Sequence, residues 1–415
     1  DDSAGVGRTG TYIVVDAMLK QIKHRQSINV FAFLKHIRQQ RNYLVQTEEQ
    51  YIFIHDAMLE AIESGDTEVP SNHLSRYIQT LQTGGDLIST ASSDIKEKAF
   101  HWPLLERQYK LVTSFRAKDF NVVSALKPCN KGKNRSLNLI PLESHRVHIT
   151  PRTPGIDGSD YINATFLPGF NLLKEFVITQ HPVEETFPDF WQMVWDHNAQ
   201  TIVVLSSIIN EKEFPQFWPD KDEDCDYGSF KVKLTEETSI IQDSGGYITT
   251  RDFIMQSTQD DYELMCRVVH CPGWPEACGP LNNVFDLIKI VQTWHLEYQN
   301  GPIIVMDRYG GSEAATFCCL TTLYKQLNFE DCVDVYMYAK LYHLRRPGIW
   351  RSQDDFLFLY RAVESLVSTL NLGDVSDGSP FGSQLNVNNG LINTNGHAVK
   401  INISSEHSLK SDSLA

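Results

Sequence analysis

One segment of this chain occurs twice. Residues 3 to 64 match residues 308 to about 369 at a constant offset of 305, without a gap, so the two segments are expected to share one fold. Thr11 falls on Thr316, Lys20 on Lys325, Gln21 on Gln326, Arg41 on Arg346 and Phe53 on Phe358. Apolar positions repeat more faithfully than identities. Val30, Phe33, Leu34 and Ile37 return as Val335, Tyr338, Ala339 and Tyr342, an i, i+3, i+4, i+7 stripe that predicts a helix with one buried face in each copy. The second copy closes a long stretch that starts near residue 70, whereas the first stands alone. Residues 1–64 are therefore expected to be the C-terminal remnant of one domain and 65–371 a complete second domain. ESGDTEVPSN (63 to 72), polar with Gly and Pro, reads as a linker or helix boundary, and 372–415, rich in Asn, Ser and Gly, as a disordered tail.

Between the copies, helical patterns alternate with β-branched runs: FVITQ from 176, TIVVLSS from 201, YITTRDFIMQ from 247, YELMCRVVH from 262 and GPIIVMD from 301. The mixture predicts an α/β fold, a twisted mixed sheet flanked by helices. With 41% apolar residues the chain can bury a sizeable core, and its longest apolar runs fall short of a membrane span. A formal charge of −15 argues against nucleic acid as a partner. Eight scattered cysteines read as reduced thiols. Neither Cys271 nor Cys278 has the neighbours of a zinc site, and His181, His197 and His343 read as hydrogen-bonded polar residues, so neither metal nor cofactor is expected.

Ser3-Ala4-Gly5-Val6-Gly7-Arg8-Thr9-Gly10 has the makings of a phosphate cradle: glycines that turn backbone N–H groups inward, a helix behind them, and an arginine fork. It also fits G-x-G-x-x-G, but no acid lies between 17 and 47 to hold a ribose. Position 2 holds Asp, and no cysteine precedes Cys129.

SAGVGRTG followed by RNYLVQTEEQY (41 to 51) resembles the signature loop and glutamine loop of protein tyrosine phosphatases. KNRSLNLIPLESHRV (133 to 147), GSDYINATF (158 to 166), TQHPVEETFPDFWQMVWDHNAQ (179 to 200) and CPGWPE (271 to 276) follow in that family's order. The arrangement is similar to the tandem cytoplasmic domains of receptor-type members, nearest the gamma and zeta subgroup and its insect counterparts. The resemblance implies the phosphatase fold, and a reaction in which a cysteine thiolate attacks phosphorus, an arginine holds the phosphoryl oxygens, an aspartic acid protonates the leaving phenolate, and glutamines position water. It also implies the cytoplasmic part of a single-pass plasma-membrane receptor acting on phosphotyrosyl proteins. Protein partners would include the proximal domain of its own or a second receptor.

Mapped residue by residue, the machinery is incomplete in both copies. The first keeps Gly5, Gly7, Arg8, Gln46 and Gln50, but has Asp1-Asp2 where His-Cys is expected. In the second, the offset puts Asp307 at the cysteine position and Glu313 at the arginine position, with Gly310 retained between them; Arg351 and Asp355 replace the glutamines. Trp274-Pro275-Glu276 has Glu for the acid-loop Asp, and Ser136 stands where a pocket tyrosine is expected. Acids at floor and rim would repel a phosphate dianion, which predicts a catalytically inactive, regulatory or scaffolding domain. The alternatives are a phosphotyrosine-binding module without catalysis and a residual phosphatase using Cys129 or Cys271.

Three stretches imitate the motifs. Cys129 to Arg135 satisfies C-x-x-G-x-x-R but is expected in a loop without a helix behind it. His270-Cys271 has Ala277 six residues on, and Trp218-Pro219-Asp220 is expected in a structural hairpin region. Phe190, Trp191 and Trp195 read as core.

Overall fold

The computed structural model describes residues 5–25, 27–83, 103–114, 120–206, 213–221, 223–241, 247–276, 278–298 and 300–377. The N-terminal copy of the repeat forms helices α1 (Gly7–Arg25), α2 (Val30–Gln40) and α3 (Glu48–Ser64). Strand β1 (Val69–Pro70), helices α4 (Leu74–Thr83), α5 (Leu104–Ser114) and α6 (Val123–Leu126), and strands β2 (Arg146–His148), β3 (Tyr161–Leu167) and β4 (Phe176–Gln180) follow. Helix α7 (Phe187–Asp196) leads to β5 (Thr201–Val204), β6 (Asp224–Asp226), β7 (Phe230–Ile241), β8 (Tyr247–Ser257) and β9 (Glu263–His270). The second copy of the repeat is reached through α8 (Val284–Glu297) and β10 (Ile303–Asp307), and comprises α9 (Ser312–Glu330), β11 (Cys332–Val333), α10 (Val335–Arg345) and α11 (Gln353–Asp377).

Nine strands form one sheet in the order β2-β3-β4-β10-β5-β9-β8-β7-β6. The centre, β4-β10-β5-β9, is parallel, and both flanks are antiparallel. Every residue of β4, β5 and β10 is buried, as expected where helices cover both faces of a parallel centre. Successive side chains alternate between two cores: Ile178, Val203, Val305 and Val269 pack under the C-terminal helices, whereas Val177, Val204, Met306 and Val268 pack against α7 and its aromatic cluster. In that cluster Phe190 and Trp191 are buried and Trp195 stacks on Phe230, as core aromatics should.

The repeat is structural as well as sequential. Helices α1 and α9 begin and end at residues 305 apart, as do α2 and α10, and α3 and α11 begin 305 apart. The caps repeat too: Asn29 accepts from Ala32 N and Asp334 from Met337 N, each ordering a helix start. Exposure distinguishes the copies. Tyr12 and Phe31 are 72% and 69% exposed, while their counterparts Phe317 and Tyr336 are 0% and 5% exposed. The second copy lies on a sheet; the first holds a smaller core of Val14, Met18, Val30, Leu34, Ile37, Ile54 and Met58.

Residues 63–72 are less free than a linker reading suggests. Val69 pairs with Val333, Thr67 Oγ1 donates to Asp334 Oδ2 at 3.0 Å, and Glu60 of α3 meets Lys340 and, at 3.1 Å, the Tyr336 hydroxyl. Helix α11 continues to Asp377, a helix being easier to extend than to nucleate. The rest of the anticipated tail, 378–415, lies outside the described residues. Among the described residues no helix is long and apolar enough to cross a membrane.

Candidate active site

Strand β10 ends on Asp307, and the chain turns through Arg308–Gly311 into α9, the strand, loop, helix geometry of an anion cradle. Gly310 has φ +68°, and a Cβ there would lie 2.6 Å from Arg346 Nη2 and 2.8 Å from Gln180 N, so only glycine fits. The cradle holds an anion of its own. The Asp307 carboxylate, 3% exposed, accepts hydrogen bonds from Tyr309 N (2.9 Å), Gly311 N (2.9 and 3.0 Å) and Ala314 N (3.0 Å). An internal carboxylate at a helix N-terminus is favoured by the same amides and dipole that would hold a phosphate.

At the rim the charges are exchanged. Glu313 Oε1 lies 3.1 Å from Arg351 Nη2, and Arg351 Nε is 3.7 Å from Asp355 Oδ2. Burial and the neighbouring Asp307 carboxylate push the Glu313 carboxyl above the ordinary range. Asp355 is also a cap: its carboxylate accepts from Arg351 N (2.9 Å) and Ser352 N (3.3 Å), while Ser352 Oγ accepts from Asp355 N (3.2 Å). In the first copy Gln50 Oε1 accepts from Gln46 N (2.8 Å) and Thr47 N (3.4 Å) in the same reciprocal box. The exchange of Gln50 for Asp355 thus preserves a helix start that the catalytic reading of the glutamine did not anticipate.

Behind the loop stands Arg346, fully buried, donating to Gly310 O (2.7 Å), Asn163 Oδ1 (2.8 Å) and Thr165 Oγ1 (3.0 Å); burial lowers its pKa to about 10. Its match to Arg41 across the repeat was the sequence signal for this role. Arg135 clamps the neighbouring segment, donating to the carbonyls of His181, Pro182 and Glu213. Ser136 Oγ accepts from Asn138 N at 3.2 Å.

On the acid loop, Trp274 is buried, donates Nε1–H to Val284 O (3.1 Å) and meets Phe317 of α9 edge-on, while Glu276 is exposed. Pro275 follows a cis bond. In the first copy the structure unites the glutamines with the cradle: a Cβ on Gly7 would lie 2.9 Å from Gln50 Nε2 and 3.0 Å from Gln46 Oε1, and Val45 N donates to Val6 O at 3.0 Å. Gly5 has φ +62° and Arg8 is exposed; Asp2, Ser3 and Ala4 lie outside the described residues.

The imitations separate from the site. Cys129 lies in a short 3-10 helix (Pro128–Lys133) rather than the anticipated loop, because Asn130 N bonds back to Lys127 O; its thiol donates to Asp157 Oδ2 at 3.9 Å. A hydrogen bond with Cys278 and burial push the Cys271 thiol up, and so keep it protonated. Trp218 packs against His270 and under the Arg251 guanidinium, and Asp220 accepts from Gln216. His181 bonds Ser206 and Pro215 O, His197 bonds His148 O, and His343 bonds the Thr113 backbone while its Nδ1 is buried without a partner. Among the described residues no cluster of three or more metal-ligating side chains occurs, and all eight cysteines are unpaired.

A twisted mixed sheet, a strand-to-helix anion cradle and an acid-loop tryptophan anchored on the cradle helix define the class, and the family model described as protein-tyrosine phosphatase matches residues 1–60 and 130–365. The chain belongs to the protein tyrosine phosphatase family. It is 49% identical over 370 residues to the putative receptor-type tyrosine-protein phosphatase mosPTP-1 of Culex quinquefasciatus, covering 89% of this chain and 23% of that protein. Tyrosine-protein phosphatase 99A of Drosophila melanogaster is 48% identical over 370 residues (89% and 26%), and receptor-type tyrosine-protein phosphatase zeta of Rattus norvegicus 47% over 369 residues (88% and 15%). The chain thus spans about a quarter or less of the length of these curated relatives.

Proposed function

We propose that this chain is a segment of a receptor-type tyrosine phosphatase, lying on the cytoplasmic side of the membrane. Residues 1–64 are the end of its membrane-proximal domain, 65–371 its membrane-distal domain, and 372–415 a tail. The distal domain is a pseudophosphatase: it carries the family fold but performs regulatory or scaffolding work in signal transduction, offering a surface to protein partners, among them the proximal domain of its own or a second receptor. Phosphotyrosyl proteins are the substrates of the parent receptor.

The supporting observation is the Asp307 carboxylate on the amides of Tyr309, Gly311 and Ala314. A carboxylate there is neither a thiolate nor displaceable by a dianion without burying like charges together. With Glu313 facing Arg351, no arginine at the family's position remains to hold equatorial phosphoryl oxygens. Hydrolysis of p-nitrophenyl phosphate by the full chain tests this reading: no turnover above buffer is expected. Turnover abolished by Cys129→Ser or Cys271→Ser would overturn it in favour of a residual phosphatase.

A further inference from the structure

A cavity lined by cationic side chains shares no residue with the cradle. It has a volume of about 410 Å³ and opens between the chain entering β2, the β3 face, the loop before β4 and the ends of α7 and α10. In a chain of net charge −15 its lining is cationic: Arg146, Lys174 and Arg345, with His145, His148 and His197, against one carboxylate, Glu143. Arg146 is neutralised, its guanidinium holding Glu143 at 2.7 Å and Asp160 at 2.8 Å. The other two cations have no carboxylate partner among the described residues. Lys174 Nζ sits 4.6 Å above the Phe166 ring, and Arg345 Nη1 donates only to Leu173 O, at 3.3 Å. Burial holds the Arg345 pKa below its ordinary value.

We propose that this cavity binds the phosphorylated side chain of a peptide partner. A phosphate monoester carries about two charges and three acceptor oxygens, matching an ammonium and a guanidinium that have no carboxylate partner among the described residues. The His197 ring, edge-on to Phe166 at 5.4 Å, gives the cavity an aromatic wall. A peptide rather than a free ion fits the neighbouring surface: Leu172 and Leu173, which precede Lys174 and of which Leu173 accepts from Arg345, are 60% and 78% exposed. Apolar side chains left in water beside an unpaired cationic cavity are what a phosphopeptide with flanking apolar residues would cover.

Calorimetric titration of the full chain tests the site, with a synthetic peptide carrying one phosphoserine between leucines, its unphosphorylated counterpart, and inorganic phosphate. The phosphopeptide is expected to bind at least tenfold more tightly than either control, and to lose at least tenfold in Lys174→Glu, an exposed position where folding is not at stake, and in Arg345→Ala. Equal affinity for the two peptides, affinity for inorganic phosphate equal to that of the phosphopeptide, or unchanged affinity in Lys174→Glu would overturn the proposal. None of these readings depends on whether the cradle is catalytically active.

Discussion

Glu313 and Arg351 lie 3.1 Å apart, joining the first turn of α9 to the segment before α11. Relative to Arg8 and Gln46 in the first copy, one position has gained a negative and the other a positive charge. Each exchange alone would leave an uncompensated charge at the rim; together they close it.

The Glu313 carboxyl is nevertheless raised, by burial first and Asp307 second. The folded chain holds this proton more tightly than the unfolded chain, so the associated stability is present at acid pH and is lost as pH rises through the raised value. The partly exposed bridge to Arg351 returns no more than about 1 kcal/mol. Glu313→Gln is therefore expected to leave the thermal midpoint at pH 7 unchanged or higher. A loss well beyond about 1 kcal/mol in urea unfolding would show that the ion pair dominates.

Removing the internal anion has the opposite sign. Asp307→Ala leaves the amides of Tyr309, Gly311 and Ala314 without their acceptor, and is expected to cost about 2 to 4 kcal/mol in urea unfolding. Asp307→Cys alone should remain inert toward aryl phosphates, because Glu313 still faces the incoming dianion. Combining it with Glu313→Arg and Arg351→Gln supplies a thiolate and a guanidinium together, and slow turnover of p-nitrophenyl phosphate is expected from the triple variant only.

His181 contributes to acid sensitivity, as does His295, whose pKa burial also lowers to about 4. Buried beneath Phe214 and Phe217 and bonded to Ser206 and Pro215, His181 has its pKa lowered by burial to about 4. The unfolded chain binds this proton near pH 6.5 and the folded chain does not, so stability is full above that pH and is lost as pH falls toward 4. The loss from this group is on the order of 3 kcal/mol. Thermal midpoints measured from pH 7.5 to 4.5 should fall in that window, and His181→Gln should flatten the slope.

The first copy of the repeat is held to the second by Glu60, which meets both Lys340 and Tyr336. Glu60→Ala removes the carboxylate that faces a Lys340 side chain only 10% exposed. Hydrogen exchange in residues 48–64 is expected to accelerate, with that of β4, β5 and β10 unchanged. The exposed Tyr12 and Phe31 should meanwhile make the chain prone to self-association, and Phe31→Ser is expected to reduce it in light scattering without lowering the thermal midpoint.

Much of this was legible in the sequence, for identifiable reasons. Strands β4, β5 and β10 are buried on both sides and read as continuous β-branched runs, and a fixed offset located Asp307, Glu313, Arg351 and Asp355 without coordinates. Strand β7 escaped because Lys231, Lys233, Glu236 and Glu237 face water along it; only the alternation with Phe230, Val232 and Leu234 could have revealed it. What the acids do was also hidden. Substitution at position 307 reads as repulsion toward a ligand, whereas the carboxylate turns inward and takes the ligand's amides, a contact set by backbone geometry that no spacing encodes. The partnership of Glu313 with Arg351 is likewise a meeting of residues 38 apart in sequence.

A crystal structure of the full chain grown near neutrality with millimolar tungstate tests the central claim most directly. The account predicts the Asp307 carboxylate still on Gly311 N and Ala314 N, with no oxyanion between residues 307 and 314. Tungstate seated on those amides, with the carboxylate swung away, would contradict it.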